Sequence, residues 1–240
     1  MRVNARAWIA AATLAVSVQA GGATFGLTPM RVELSATTPT AIVSVNNSGD
    51  APVTIQVQTY AWTQPAGDDV YEETRGFIVS PPIFTLAPGA AQVVRVALRG
   101  KASTDVEQAY RLIFREVPPA EEAAADSALF HIALNMNIPM YVAPSAAPAA
   151  PKPAWSMADG PDGTPRLRVA NIGTANLRLA TLVISQGQNK LEERDVFVVL
   201  PGAARFIALP KDRLRSDAPL HVDAQSNAGR VDLVVPVANP

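Results

Sequence analysis

Val53-Thr54-Ile55-Gln56-Val57-Gln58-Thr59-Tyr60-Ala61-Trp62 sets Val53, Ile55, Val57 and Thr59 on one face of an extended chain and Thr54, Gln56, Gln58 and Tyr60 on the other. Alternation of this length marks a half-buried β-strand, because successive side chains on extended backbone point to opposite faces. Outward from it the same pattern recurs. Residues 41–46 alternate and Asn47-Ser48-Gly49-Asp50 follows as a turn. Phe77-Ile78-Val79 leads into Ser80-Pro81-Pro82, then Ile83-Phe84 and the turn Ala87-Pro88-Gly89. Residues 92–98 and 110–117 alternate again; on the latter, Tyr110, Leu112 and Phe114 form the core face, with Arg111, Ile113 and Arg115 opposite. Short strands with turn signals every 8–12 residues or so predict an immunoglobulin-like sandwich.

A second run of strands is predicted at 167–171, 175–185, 196–200, 204–209 and 229–237, with turns at Asn171-Ile172-Gly173 and Pro201-Gly202. Between the two runs, residues 145–153 read Ser-Ala-Ala-Pro-Ala-Ala-Pro-Lys-Pro, a linker stiffened by its prolines. The expected organisation is all-β: a first domain over 24–144, the linker, and a second domain over 154–240. No long helix is predicted. The acidic, Ala-rich residues 118–127 read as a mobile loop, and Asp68-Asp69 with Glu72-Glu73 as another.

Arg2 and Arg6 precede an apolar run over residues 7–18, with small residues at Ala20 and Ala23. This is the pattern of a secretory signal over residues 1–23, cleaved after Ala20 or Ala23. The run is too short to span a membrane and nothing later approaches that length, so no membrane insertion is expected. About 220 residues then remain, enough for two sandwiches. The chain has no Cys, so stability must come from buried apolar area. Formal net charge is −1 with no long basic run, which argues against nucleic acid as a partner.

Phe130-His131-Ile132-Ala133-Leu134-Asn135-Met136-Asn137-Ile138 alternates as well, with apolar residues at 130, 132, 134, 136 and 138. These side chains could fill the protein's own core. Alternatively, the strand lies at a sheet edge and offers unpaired backbone plus a row of apolar side chains. Proteins usually blunt such edges with charge or Pro, and only His131 and Pro139 do so here. An edge left this open suits strand addition to another polypeptide.

Taken in order behind a signal, several segments resemble the periplasmic chaperones of chaperone–usher pilus assembly. They are Asn46-Asn47-Ser48-Gly49, Phe77-Ile78-Val79-Ser80-Pro81-Pro82-Ile83-Phe84-Thr85-Leu86-Ala87-Pro88-Gly89, Tyr110-Arg111-Leu112-Ile113-Phe114-Arg115-Glu116-Val117-Pro118-Pro119 and Ile132-Ala133-Leu134. The resemblance implies two immunoglobulin-like domains in a boomerang, a periplasmic location, and two partners, pilus subunits and an outer-membrane usher. It implies that the last strand of the first domain is lent to subunits lacking a strand of their own, with Phe130, Ile132, Leu134 and Met136 as donors. Met at one donor position suits several related grooves, since its chain adapts. Unmasked donor edges would self-associate when no subunit is bound.

The resemblance also places Arg31, in Pro29-Met30-Arg31-Val32, where the family binds the subunit's C-terminal carboxylate. A planar guanidinium suits that work because it pairs bidentately with a carboxylate. The family's usual Lys partner is Pro139 here, a departure that removes a backbone donor and should weaken or end strand pairing there. Arg111 is the candidate replacement. Thr85 stands where most members carry an Arg of an interdomain ion-pair network. Ile138-Pro139-Met140 resembles the last strand of the family's archaic branch.

No catalytic or metal site is expected. His131 and His221 are the only histidines, 90 residues apart, and there is no Cys to join them. No Gly-rich phosphate loop or nucleophile elbow is present, and no cofactor is implied. Trp62 and Trp155 are expected to pack in cores or between domains. The rival reading is an exported immunoglobulin-like adhesin or binding module.

Overall fold

The computed structural model describes residues 25–102, 105–118, 133–146, 148–194 and 196–237. The expected signal, the loop at 119–127 and the donors Phe130 and Ile132 lie outside them.

The first half forms two facing sheets, antiparallel except for one parallel strand pair. One holds β1 (Phe25–Thr28), β3 (Thr40–Asn47), β8 (Ala91–Leu98) and β6 (Phe77–Ser80), in the order β1-β3-β8-β6. The other runs β2 (Val32–Leu34), β10 (Asn135–Val142), β9 (Gln108–Glu116), β4 (Val53–Thr63) and β5 (Val70–Glu73), with β7 (Ile83–Leu86) also on β4. The first strand changes sheets: β1 pairs with β3, and after a cis Thr28–Pro29 bond β2 lies parallel to β10. The expected faces are the observed ones. Val53, Ile55 and Val57 of β4 and Leu112 and Phe114 of β9 enter one core with Val43, Val45, Val94 and Val96 of the opposing sheet.

The second half repeats the plan. β11 (Pro153–Asp159), β12 (Pro165–Asn171) and β16 (Ala204–Ala208) face β14 (Asn189–Arg194), β13 (Leu177–Gln186), β17 (Leu220–Ser226) and β18 (Gly229–Val235), with β15 (Phe197–Val199) on β13. A separate core of Leu167, Val169, Leu177, Leu179, Leu182, Ile184 and Val222 fills it. Each half is an immunoglobulin-like β-sandwich.

One corner is built twice from the same chemistry. Asn47 donates from Nδ2 to Ala51 O at 2.8 Å and Leu86 O at 3.2 Å, and its Oδ1 accepts from Gly49 N at 2.9 Å. Asn171 donates from Nδ2 to Ala175 O at 2.7 Å and Val199 O at 3.0 Å, and accepts from Gly173 N at 3.0 Å. Their carbonyls receive Gly89 N and Gly202 N, glycines whose φ values of 72° and 75° lie in the left-handed region. Both asparagines are fully buried, so every bond replaces a contact with water that the group has lost.

Three expectations need correcting. Glu72 and Glu73 lie in β5, not in a loop. Strands β2, β5, β11, β14 and β17 were not anticipated, being short, charged or weakly alternating. Pro139 does not end its strand: β10 continues to Val142 with Pro139 opposite Arg111. The reason is register. Glu116 N donates to Leu134 O, so backbone groups of even-numbered β10 residues face β9 and those of odd-numbered residues face away. The N–H that Pro139 lacks would have pointed at the free side, and the β9 ladder loses nothing.

Candidate functional site: an open strand edge leading into an arginine cleft

β10 has β9 along its whole length on one side, but β2 covers the other side only at Met140, Tyr141 and Val142. Among the described residues, the outward edge at Asn135 and Asn137 is unpaired. Both asparagine side chains are exposed, while Met136 and, just before the strand, Leu134 are half-buried against the first core. Ile138, at 0% exposure, belongs wholly to that core. The alternating row therefore divides at residue 138: its C-terminal member is structural, and Leu134 and Met136 sit at the rim.

Glu116, absent from the sequence reading of the site, anchors this rim. Its Oε2 accepts from Leu134 N at 2.9 Å, and its own N donates to Leu134 O at 3.0 Å. The carboxylate thus continues the ladder one residue beyond the strand.

The open edge leads into a cleft of about 600 Å³ between the sandwiches. Arg31, Arg111, Pro139 and Tyr141 line it from the first sandwich, and Arg178, Phe197 and Arg205 from the second. Arg31 and Arg111 share this cleft. Each is held by stacking: the Arg111 guanidinium lies 3.7 Å from the Trp62 ring centroid, and that of Arg31 lies 4.6 Å from the Tyr141 centroid. Trp62 and Tyr141 are themselves tilted neighbours at 6.2 Å. The resulting series of guanidinium, ring, ring and guanidinium fixes the planes of the two forks, a geometry that suits pairing with an anion. Arg31 Nε also lies 2.7 Å from Glu33 Oε1. Burial pushes the Tyr141 hydroxyl up to about 12 against the opposing pull of Arg31 and Arg111, so it stays neutral and able to donate. Arg115 is exposed on the opposite end of β9.

Thr85 does not reach the second sandwich; its hydroxyl meets Thr54 Oγ1 at 2.8 Å. Other residues join the halves. Gln64, 7% exposed, donates to Val198 O and accepts from Leu200 N, both at 2.9 Å. Asp69 pairs with Arg205 Nη2 at 2.6 Å and accepts from Trp62 Nε1 at 2.7 Å. Glu107 Oε1 accepts from Asn176 N at 2.9 Å and Nδ2 at 2.7 Å. Trp62, Tyr141 and Leu200 form a small buried cluster between the halves, as the interdomain expectation for Trp62 required. No local pattern could have singled out Gln64 or Glu107 as links between the halves, since their partners in the second sandwich are more than 60 residues away. His221 lies at the surface, 2.8 Å from Asp232, and Trp155 packs against the second core.

Solved structures share this two-sandwich fold. One is a chaperone–tip adhesion subunit pre-assembly complex of the archaic chaperone–usher Csu pili of Acinetobacter baumannii, at 19% identity and TM-score 0.69, covering 89% of this chain and 98% of that one. Another is the Salmonella enterica SafA pilin in complex with the SafB chaperone, at 21% identity and TM-score 0.62, covering 88% and 96%. At the sequence level, the pattern of the pili and flagellar-assembly chaperones, PapD N-terminal domain, matches residues 24–148. The chain belongs to that family of pilus-assembly chaperones. A curated relative, the FimB/FhaD chaperone protein of Bordetella pertussis, is 25% identical over 143 residues, or 57% of this chain. The chain spans 57% of that relative's length. No helix among the described residues is long and apolar enough to cross a membrane.

Proposed function

We infer that this chain is a periplasmic chaperone of the archaic branch that binds pilus subunits by lending them a β-strand and passes them to an outer-membrane usher. The observation that carries the reading is the unpaired β10 edge at residues 135–138 running straight into the cleft of Arg31 and Arg111. A client strand laid on that edge with its terminal carboxylate between the two guanidiniums must run parallel to β10, because the cleft lies at the C-terminal end of the open stretch. Main-chain bonds to residues 135 and 137 would supply general affinity, and Leu134 and Met136, with Phe130 and Ile132 upstream, would enter the client's groove and set register. Each such side chain is worth about 1.5–3 kcal/mol by transfer estimates, before the cost of ordering the segment. Binding of this kind needs no nucleotide, and the next subunit's extension can displace the lent strand. The motif Ile138-Pro139-Met140 and the likeness to the Csu complex support the archaic assignment.

The test is co-expression with a neighbouring fimbrial subunit. Ile132→Asp combined with Leu134→Asp should leave the chaperone folded yet abolish subunit recovery from the periplasm. Normal subunit yield with a folded double variant rejects strand donation.

A further inference from the structure

We propose that Arg178, from the second sandwich, is a third ligand of the client's terminal carboxylate, so that a bound client fastens the two sandwiches together. The proposal rests on the carboxylate reading of Arg31 and Arg111 and adds to it a residue from the other half of the molecule. Four arginines and one aspartate line the cleft, an excess of positive charge that an anionic ligand would offset. The arginines are not equivalent. Arg205 is committed to Asp69 at 2.6 Å and to Gly67 O at 2.6 Å, and Arg31 lies against Glu33. Arg178 is exposed and has no ion-pair partner among the described residues.

Its backbone is nevertheless held more firmly than a solvated surface charge requires. Arg178 pairs across to Val198 of β15, and on its other side the β13–β17 register shifts between Leu179 and Thr181. Such bulges re-aim side chains. Asn227 closes the irregularity: its Oδ1 accepts from Arg178 N at 2.8 Å, its N donates to Arg178 O at 3.1 Å, and its Nδ2 donates to Asn176 O at 2.8 Å. Two residues before Arg178, Asn176 is bonded to Glu107 of the first sandwich. The base of the Arg178 side chain is therefore fixed to both halves while its head stays unpaired in the cleft. Arg178 lines the same cleft as Arg31, Arg111 and Tyr141.

The experiment uses the mature chain and two probes: an acetylated eight-residue alternating valine–threonine peptide with a free C-terminal carboxylate, and the same peptide as its C-terminal amide. Calorimetric titration of the unsubstituted protein should favour the acid by about 10-fold or more. Arg178→Gln should cut that preference roughly 5-fold while leaving amide affinity and thermal unfolding unchanged, and Arg178→Lys should retain part of it. If Arg178→Gln keeps the full preference, or weakens both peptides equally, Arg178 is not a carboxylate ligand, although the Arg31 and Arg111 reading stands. If the unsubstituted protein binds acid and amide alike, or neither, the carboxylate reading itself fails and Arg178 loses its role with it.

Discussion

At the scale of single residues, the molecule depends on polar side chains that satisfy several backbone groups at once. The Asn47 side chain completes three hydrogen bonds and that of Asn171 four, the fourth from Lys152 N, in equivalent corners of the two sandwiches. Alanine at either position leaves buried carbonyls without their donor, so each substitution should lower unfolding free energy by roughly 2–4 kcal/mol. Urea denaturation followed through Trp62 for the first half and Trp155 for the second would measure this. A loss under about 0.5 kcal/mol would show that the corner closes without its asparagine. The arginines of the cleft make the complementary point. Lysine at residue 111 would keep the charge but lose the planar stack on Trp62, so the two residue types are not interchangeable there.

At the scale of the element, β10 serves two masters along its length. Its inner edge is committed to β9 throughout, and its outer edge only from Met140 onward. This separation permits a test of backbone pairing apart from side-chain contacts. Asn137 faces away from β9, as Pro139 does, so Asn137→Pro deletes one outward donor and leaves the β9 ladder whole. The variant should fold with a thermal midpoint close to that of the parent and lose most client recovery. Met136→Pro, which faces β9, should destabilise the sandwich itself. Equal client capture by parent and Asn137→Pro would mean that main-chain bonding on this edge contributes nothing. A related effect is expected at the rim: Glu116→Ala removes the acceptor for Leu134 N and should raise hydrogen exchange at Leu134 and Met136 first.

At the scale of the whole molecule, the two sandwiches are held by a polar clasp around a small aromatic cluster. Burial alone would raise the Asp69 carboxyl, but hydrogen bonds from Gln64, Arg205 and Trp62 outweigh it and hold the group below the ordinary aspartate value. A carboxylate depressed in this way stabilises the folded form above its unfolded pKa, and that contribution is lost as pH falls through the lowered folded value. The parent should therefore be more stable than Asp69→Asn from neutrality down to about pH 5, with the difference disappearing below about pH 4. Thermal melts of both proteins across that range would check it. A difference that persists unchanged in acid would assign the effect to shape and not to charge. Because the clasp also forms one wall of the cleft, loosening it should weaken client binding with Arg31 and Arg111 intact.

The strands of both cores were legible along the chain, since alternation with period two is a local property and burial on one face selects for it. Val53, Ile55, Val57, Leu112 and Phe114 needed no tertiary information to be assigned inward, and the resemblance brought Arg31 and Arg111 forward as partners. Charged or short strands such as β5 and β14 escaped because packing and neighbouring strands decide them, not propensity. Tertiary structure alone decided that Pro139 lies on the free side of its strand, that Ile138 is sealed in the core while Leu134 and Met136 stay at the rim, that Gln64 and Glu107 bond across to the second sandwich, and that Arg178 lines the cleft. Each of these depends on register or on contacts between residues far apart in the chain, and a one-dimensional pattern carries no record of which edge of a strand is left without a neighbour.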